Sequence, residues 1–484
     1  MRGLVRRLPA ALTLVIGGLA ANCWVPASAH AGSMDGFFGV NAQPLLAGPA
    51  SAWGPQLAAM QAGGLQVIRA DARWWSVEPN SPRGDTHAYD WSSTDAIVQA
   101  LAENGLRWYP VLDGAPFWAA QATGDQSPAA AHEADFAAFA GALAARYGSQ
   151  GTFWSAHPSL SARPVVDYEI YNEENSSVFW PSQADAPERY ADLYRLARQA
   201  IRAADPQARV VIGGLALVNP PIATDEVDFM RRMLSHRPDL RGQVDAIGLH
   251  PYQPTLQYLY LRLGAFRQAV DELFGPGVPI DLSEVGWSST SMPEWERAQY
   301  LSSLAYQLPR SDCGVDRLLV YAWTAAERNP AEPEDWFGIW NLDGSPKPSG
   351  QAYTEAVLTM RGLTGQPPPS GTLRLCTPAA PPAPPALARG LHLKLRVMVN
   401  RGKRRLTAFA RCPEGCALNV ALMGSRHGRL TPLAHRSTRF GTRRWKFRMR
   451  YRRGTNRLRL DVVARGTGGK AARRWTWSRA RTRR

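Results

Sequence analysis

Two glutamates lie at the ends of apolar runs, 111 residues apart in the chain. The run "VVDYEIYNEEN" (165–175) begins like a buried strand and ends with Asn172, Glu173 and Glu174, while "VPIDLSE" (278–284) ends with Glu284. Two carboxyl groups of this kind can carry out proton transfer, with one acting as an acid and the other as a base or nucleophile. That chemistry requires a fold that directs both carboxyl groups into one cavity.

Short apolar or β-branched runs alternate with helical patterns along most of the chain, which is typical of βα units around a parallel sheet. Two of the intervening stretches, 134–148 and 189–206, repeat apolar residues at intervals of three and four and end in Gly or Pro, as helices do. The runs predict eight strands, at 37–41, 66–71, 107–113, 165–173, 209–214, 245–250, 278–284 and 317–323.

Eight such units in roughly 330 residues predict a (β/α)8 barrel of the α/β class. The alternative is an open, doubly wound sheet, but the Gly-rich turn that this fold places after its first strand is missing from the sequence. Barrel enzymes carry their chemistry at the carboxyl ends of the strands. Glu173 and Glu284 then end the fourth and seventh strands, and we expect them to face each other across the barrel mouth.

Charge and proline content divide the chain into two parts. Residues 386–484 contain 29 Lys and Arg side chains against two acidic ones, a net charge of +27, whereas residues 32–385 contain 24 basic and 38 acidic ones, a net charge of −14. The stretches 365–371 and 377–390 between them are proline-rich and typical of extended linkers. The predicted organisation is a signal peptide (1–31), a catalytic barrel (32–364), a Pro-rich linker (365–389) and a basic β-rich domain (390–484).

The first 31 residues have the layout of a cleavable secretory signal, with three arginines, an apolar stretch and small residues at 27–29 and 29–31. No later apolar run is long enough to span a bilayer. We therefore expect a secreted, extracellular protein.

Of the five cysteines, Cys23 would leave with the signal, which leaves an even set for an oxidising compartment. The short spacing predicts a disulfide between Cys412 and Cys416, and hence a second one between Cys313 and Cys376. Buried free thiols are the alternative. No histidine stands at ligand spacing from these cysteines, so we expect no metal, and nothing in the sequence calls for a cofactor.

The basic region alternates apolar residues with Arg or Lys, as antiparallel strands with one buried and one solvent-facing side do. The runs 391–399, 404–412, 417–423, 444–451 and 456–466 predict a small β-sandwich. Its arginine-rich face would attract an anionic polymer, such as an acidic cell-wall glycan, a lipopolysaccharide-like surface or a nucleic acid, although no nucleic-acid motif accompanies it. A purely compositional preference for arginine remains the alternative.

Paired carboxylates in an aromatic-rich cleft are what cleavage of a glycosidic bond requires. The segments "YEIYNEEN" and "IDLSEVGW" (280–287) resemble the acid/base and nucleophile strands of the clan A retaining glycoside hydrolases. The segment "VIRADARWWSVEPN" (67–80) resembles the second strand of family 39 and of the cellulase-like, family 5-type enzymes, and "DGSPKPSGQAY" (343–353) is similar to the closing segment of many clan members.

The resemblance implies the roles of individual residues. It implies Glu173 as the acid/base and Glu284 as the nucleophile of a double displacement. The implied substrate-binding residues are Asn172 against the sugar 2-hydroxyl, Arg69 and Tyr252 beside Glu284, and His250 and Trp323 lining the sugar site.

In one place the sequence departs from the clan pattern, because Glu174 stands where proline usually follows the acid/base. Adjacent side chains of a strand point to opposite faces, so we expect Glu173, and not Glu174, to face the cleft. Tryptophans in the loops could stack on sugar rings or belong to the loop core; these are Trp118, Trp180, Trp336 and Trp340.

Two classes of function follow from these patterns. The first is a secreted retaining glycosidase acting on an oligosaccharide or polysaccharide, and the second is a catalytically silent barrel that binds carbohydrate or anchors to a surface. The presence of both carboxylates favours the enzyme. Xylosidic, glucosidic, galactosidic and arabinosidic substrates all remain open, because loop geometry decides among them.

Overall fold

The computed structural model of the chain describes residues 34–122, 126–217, 223–377, 393–400, 403–412, 417–425, 430–437, 444–451, 455, 457–466 and 469–478. The predicted signal peptide, residues 378–389 of the proline-rich linker and Cys416 lie outside these residues. The chain divides into two compact units between Pro378 and Ala379, and each unit is described by itself. No helix in the described ranges is both long and apolar enough to cross a membrane.

The first unit is a closed barrel of eight parallel strands, in which each strand pairs with the next and β8 pairs with β1. This confirms the predicted (β/α)8 fold, and all eight predicted strands are present. The strands are β1 (Phe38–Asn41), β2 (Val67–Arg73), β3 (Arg107–Asp113), β4 (Asp167–Asn172), β5 (Arg209–Ala216), β6 (Ala246–His250), β7 (Ile280–Val285) and β8 (Val315–Val320).

One main helix follows each strand, and shorter helices lie in the loops. The helices that follow the successive strands are α2 (Trp53–Ala62), α4 (Ser92–Glu103), α5 (Glu133–Tyr147), α7 (Ala186–Ala204), α8 (Glu226–His236), α9 (Leu256–Phe274), α10 (Glu294–Gln307) and α11 (Pro348–Met360). The short ones are α1 (Gln43–Leu46), α3 (Trp74–Val77) and α6 (Thr152–Ala156). The helices predicted at 134–148 and 189–206 are α5 and α7.

The barrel interior is layered, because alternate residues of each strand point inward. A buried apolar layer consists of Val67, Tyr109, Val211, Ala246 and Leu319. Below it, at the amino ends of the strands, Arg209 forms ion pairs with Asp167 and Asp281. Above it, Arg69 forms an ion pair with Glu169. The upper ionic layer lies directly beneath the barrel mouth.

The second unit contains two antiparallel sheets, with the strand orders β13-β10-β9 and β12-β11-β14-β15. Buried apolar residues from both sheets form one cluster, as in the predicted sandwich. The strands are β9 (Lys394–Asn400), β10 (Arg405–Arg411), β11 (Ala417–Ser425), β12 (Leu430–Ser437), β13 (Trp445–Arg450), β14 (Arg457–Gly466) and β15 (Gly469–Ser478). Strands β12 and β15 were not predicted. They are the two edges of their sheet, where a strand needs less regular alternation and tolerates Pro432.

The predicted disulfide between Cys313 and Cys376 is confirmed, with a distance of 5.0 Å between the two Cα atoms. Next to it, Leu373 exchanges backbone hydrogen bonds with Arg310 and Asp312. The first half of the stretch predicted as linker, up to Cys376, is therefore fastened to the barrel. Cys412 also takes part in a disulfide, but its predicted partner lies outside the described residues.

We expect the double variant Cys313→Ala/Cys376→Ala to lower the free energy of unfolding of the barrel by about 4 kcal/mol, because the disulfide closes a long loop and restricts the unfolded chain. The two cysteines are separated by 63 residues. Urea denaturation followed by tryptophan fluorescence measures the change, and reduced wild-type protein is the control that should lose the same amount. A loss below about 1 kcal/mol would contradict the stabilising role.

Candidate active site

Glu173 directly follows β4, at a turn with unusual backbone geometry. Tyr171 and Glu173 have φ angles of 65° and 46°, in the left-handed region that residues with side chains rarely adopt. The backbone N–H of Glu173 donates a hydrogen bond of 3.2 Å to the carbonyl of Gly214 on β5. Such strained backbone is found most often at functional sites, and here it lies at the barrel mouth.

The carboxylate of Glu284 on β7 is buried and held by three donors. The hydroxyl of Tyr252 donates to Oε2 at 2.7 Å, while Arg69 and the amide of Asn41 donate to Oε1 at 2.5 and 3.4 Å. Burial raises the pKa of Glu284, but the charges of His250 and Arg69 outweigh it and hold the pKa below its ordinary value. Glu284 is therefore an ionised carboxylate in a fixed orientation.

The guanidinium of Arg69 connects the strands that carry these groups. It is 1% exposed and donates to both oxygens of Glu169, at 2.7 and 3.2 Å. The same side chain donates to Asn172 at 2.7 Å and so fixes the amide beside the strained turn. A single arginine thus links β2 to both β4 and β7, with the bidentate geometry that arginine provides.

The imidazole of His250 lies between the two glutamates. Its Nδ1 is 2.8 Å from Oε1 of Glu173 and 3.7 Å from Oε2 of Glu284. Its Nε2 is 3.2 Å from the hydroxyl of Ser283, which donates its own proton to Glu169 at 3.0 Å. Since the Ser283 proton is already engaged, Nε2 must be the donor, and Nδ1 shares a second proton with Glu173.

One carboxylate oxygen of Glu173, one of Glu284 and a ring nitrogen of His250 lie within 4.8 Å of one another. Retaining glycosidases hold their two carboxyl groups about 5–5.5 Å apart, whereas inverting enzymes need about 6.5–9.5 Å to admit a water molecule. The separation in this barrel therefore suits direct attack by one carboxylate while the other transfers a proton.

Glu174 points away from the mouth and is fully buried, with neither carboxyl oxygen in a hydrogen bond of ordinary geometry. Burial raises its pKa well above the usual range, which favours the neutral form of this carboxyl group. The carboxyl group of Glu174 lies against Gly213, and the imidazole of His250 lies against Gly214. A Cβ atom at Gly213 would overlap Glu174, and one at Gly214 would overlap His250. The β5–β6 pairing is irregular at this glycine pair.

A model of the family "Cellulase (glycosyl hydrolase family 5)" matches residues 29–310, more than half of the chain. The chain belongs to glycosyl hydrolase family 5. As a family 5 member it is a retaining glycoside hydrolase, and hydrolysis of glycosidic bonds is its activity. The alternative of a catalytically silent barrel is therefore not adopted. No curated protein matches the sequence.

Solved structures share the fold of this family 5 chain at low sequence identity. A monomeric β-xylosidase from Caulobacter crescentus has a TM-score of 0.52 and 17% identity, covering 86% of this chain and 94% of that one. The GH39 enzyme from Xanthomonas axonopodis pv. citri has a TM-score of 0.52 and 16% identity, with coverage of 89% and 94%. A GH5_18 enzyme from Streptomyces cattleya, in complex with Manβ1-4GlcNAc, has a TM-score of 0.50 and 18% identity, with coverage of 69% and 82%.

Of the seven site residues predicted for this family 5 enzyme, hydrogen bonds or close contacts link six into one cluster; these are Arg69, Asn172, Glu173, His250, Tyr252 and Glu284. Trp323 is not bonded to them. Its indole is fully buried, stacks on Trp340 at 4.3 Å between ring centroids, and donates to Gln56 at 2.6 Å.

Two of the tryptophans considered as sugar platforms face inward. Trp180 is fully buried between Tyr171 and Tyr190, and Trp340 is stacked on Trp323. Both belong to the loop core, because their side chains are buried and in contact with other aromatic rings. Trp118 and Trp336 remain partly exposed.

The sequence analysis missed three members of the cluster. Asn41 ends β1 and so satisfies the same strand-end rule that identified the others. Glu169 lies two residues inside β4, and strand alternation alone places it in the barrel interior. Tyr321, whose ring meets that of Tyr252 edge to face at 6.2 Å, lies within the predicted eighth strand, two residues before its end at Trp323, so the strand-end rule did not select it.

Proposed function

We propose that this family 5 enzyme is a secreted retaining glycosidase that hydrolyses O-glycosidic bonds of an oligosaccharide or polysaccharide by double displacement. In this proposal Glu284 is the nucleophile and Glu173 the acid/base. The observation that carries it is the geometry of the two carboxyl groups. One oxygen of Glu173 and one of Glu284 lie within 4.8 Å of each other beside His250, and Tyr252, Arg69 and Asn41 all donate hydrogen bonds to Glu284.

In the first step an oxygen of Glu284 attacks the anomeric carbon, while Glu173 gives its proton to the departing glycosidic oxygen. The carbon–oxygen bond of the substrate breaks, and an ester bond to Glu284 forms. In the second step Glu173 takes a proton from water, the water oxygen attacks the anomeric carbon, and Glu284 leaves as a carboxylate. Each proton that Glu173 gives away is thus returned within one cycle.

His250 positions the proton that this cycle needs. Burial lowers the pKa of His250, but the charges of Glu284 and Glu173 outweigh it and raise the pKa above its ordinary value. The proton shared by His250 and Glu173 is therefore retained while Glu284 is ionised. Formation of the ester removes that charge, which favours release of the proton from the pair and prepares Glu173 to act as a base.

Secretion is part of the proposal. The layout of the first 31 residues supports it, since an arginine-containing start, an apolar stretch and small residues are typical of a signal peptide. The disulfide between Cys313 and Cys376 supports it as well, because structural disulfides persist in oxidising compartments.

The experiment is sugar release by the purified mature protein from a panel of polysaccharides, oligosaccharides and aryl glycosides, with NMR of the first product. We expect release of sugar whose anomeric configuration is that of the substrate. An inverted first product would overturn the double displacement, and a folded protein that releases nothing from a broad panel would overturn the proposal as a whole.

We expect kcat/KM to follow a bell-shaped pH profile that is wider than ordinary Glu and His pKa values would give. As pH falls through the lowered pKa of Glu284, the carboxylate is protonated and cannot attack, so the acid limb lies below the ordinary glutamate pKa. As pH rises through the raised pKa of His250, the shared proton is lost, so the alkaline limb lies above the ordinary histidine pKa.

The variant His250→Asn tests the origin of the acid limb. Its acid limb should move to higher pH, because the largest of the charges that lower the pKa of Glu284 is gone. The matched control is His236→Asn, on α8 and paired with Asp192, which should leave the profile unchanged. An unchanged acid limb in His250→Asn would contradict the assignment.

We further propose that the second unit binds an anionic polymer through the outer face of its three-stranded sheet. On that face Arg405 lies opposite Arg450, Thr407 opposite Arg448 and Phe409 opposite Lys446. On the other side of β10, Arg411 lies opposite Lys394 and Phe409 opposite Arg396. Like charges directly opposite each other destabilise a sheet, and an anionic partner would relieve this repulsion.

The described part of this unit contains almost no acidic side chains that could balance the positive charge of this face. Asp461 is its one carboxylate, and it lies on β14 in the other sheet, paired with Arg459. Within the face, Arg444 and Lys446 lie over the ring of Phe409 at 5.0 and 5.5 Å. Because the barrel degrades carbohydrate, an acidic polysaccharide is the polymer that this face is proposed to hold.

The test is binding of the full chain to polygalacturonate at low and high salt. We expect binding that weakens steeply with salt, and that is lost in the triple variant Arg396→Ser, Arg448→Ser and Arg450→Ser. The matched control replaces three exposed arginines of the first unit, Arg83, Arg231 and Arg241, by serine. Equal binding by the two triple variants, or the absence of binding at low salt, would overturn this part of the proposal.

A further inference from the structure

Beside the carboxylate cluster, the ends of β2 and β3 carry side chains that the double displacement does not use. Asp71 and Arg73 continue the inward-pointing series of Arg69 along β2, and Asp113 ends β3 in register with Arg73. The charge of Glu284 contributes to raising the pKa of Asp71, after the larger effect of burial, so these side chains belong to the same mouth as the nucleophile.

The indole of Trp75 lies next to this polar group with much of its surface uncovered. The backbone N–H of Trp75 donates a hydrogen bond of 2.9 Å to the carbonyl of Gly114, and the indole ring lies where a Cβ atom of Gly114 would be. Gly114 has a φ of 71°, so the backbone turn and the space for the indole depend on the same missing side chain. Trp75 is 52% exposed, and Phe117, three residues after Gly114, is 80% exposed.

The polar part of this region has unused hydrogen-bonding capacity. Arg73 is bonded to Asp71 and donates to Gln126 at 3.3 Å, but its Nε is 3.8 Å from Oδ1 of Asp113, too far for a hydrogen bond. Asp113 is 97% buried, and its Oδ1 is without a hydrogen bond. A buried carboxyl oxygen in this state costs free energy, which a shift of Arg73 towards Asp113 on ligand binding would recover.

The charges of the region favour an uncharged ligand. Burial raises the pKa of Asp113, and the neighbouring charge of Asp71 raises it further, so the neutral form of Asp113 is favoured. Asp71 and Arg73 then compensate each other. A neutral carboxyl group both donates and accepts, which suits a hydroxyl group, and a flat indole face suits the apolar face of a pyranose ring.

We propose that the indole of Trp75, together with Asp71, Arg73 and Asp113, forms a second sugar-binding subsite that holds an uncharged pyranose ring next to the sugar whose glycosidic bond is cleaved. The inference rests on the proposed glycosidase function and deepens it. The substrate is then an oligosaccharide or polysaccharide of neutral sugars, and an aryl monoglycoside has no second sugar ring to place in this subsite.

The test compares Trp75→Ala with the wild-type enzyme on an aryl monoglycoside and on oligosaccharides of increasing length. We expect kcat/KM on the aryl monoglycoside to stay within about twofold, and kcat/KM on the longer oligosaccharides to fall about tenfold, as loss of an aromatic stacking contact does. Trp75→Phe should recover most of the loss. The matched control is Trp295→Ala, which removes another exposed tryptophan, on α10.

A second readout measures binding without turnover. In the background of Glu284→Gln, calorimetry should show that Trp75→Ala weakens oligosaccharide binding about tenfold, whereas Trp295→Ala does not. Equal losses on short and long substrates, or binding that is independent of Trp75, would overturn the subsite even if the enzyme is active. Trp75-dependent binding by a protein that releases no sugar would instead support the subsite and contradict the proposed glycosidase.

Discussion

Glu284→Ala is expected to lower kcat/KM by about 10⁴- to 10⁶-fold, the range that follows removal of an attacking nucleophile. Without the carboxylate no ester to the sugar can form, and the three donors of Tyr252, Arg69 and Asn41 have no anion to hold. Arg69 and His250 are also left with less negative charge in a buried site. For that reason Glu284→Gln, which keeps the shape of the side chain, should be measured alongside.

The measurement is sugar release from the substrate identified for the wild-type enzyme, with azide added in a second series. In Glu284→Ala a small azide ion can occupy the vacated space and attack the anomeric carbon directly, which should give a glycosyl azide of inverted configuration. Glu272→Ala, an exposed substitution on α9, is the control for general effects of losing a glutamate. Activity of Glu284→Ala above about 1% of wild type would contradict the assignment of the nucleophile.

Glu173→Gln should lower kcat/KM by about 10²- to 10⁴-fold on substrates with a poor leaving group, because no proton reaches the glycosidic oxygen. Aryl glycosides with an acidic phenol need less protonation, so their ester-forming step should be affected far less. The contrast between the two substrate types is the signature of a lost general acid, and steady-state and burst kinetics on both types measure it.

Glu174→Gln is the matched comparison, since it makes the same chemical change one residue away. Glu174 is buried against Gly213 and its neutral form is favoured, so an amide should change kcat/KM by less than about tenfold and without regard to the leaving group. A wild-type rate for Glu173→Gln on the unactivated substrate, together with an inactive Glu174→Gln, would reverse the two roles.

The fold could be predicted from the sequence because strands and helices of a barrel alternate with distinct apolar periods. The same reasoning located Glu173 and Glu284, since both end a predicted strand. It did not select Glu169, because this residue lies inside β4 and not at its end, and its ion pair with Arg69 of β2 forms only in the folded barrel.

The loops show where sequence reasoning stops. Trp75 and Trp180 have the same side chain, yet one is half exposed and the other fully buried. Burial of Trp180 depends on Tyr171 and Tyr190, which come from different elements and meet it only in the folded chain. The position of Trp75 depends on Gly114, 39 positions later in the chain, because the absence of a side chain there leaves room for the indole. Neither outcome is encoded near the tryptophan itself.

The pair Gly213–Gly214 has a consequence for how such a site can be copied or recognised. The imidazole of His250 and the side chain of Glu174 can occupy their positions only because neither glycine has a Cβ atom. A design that transfers this site to another barrel must therefore include glycine at both positions on β5 as well as the two glutamates. A search for related sites among distant sequences would gain discrimination by requiring glycine at both positions.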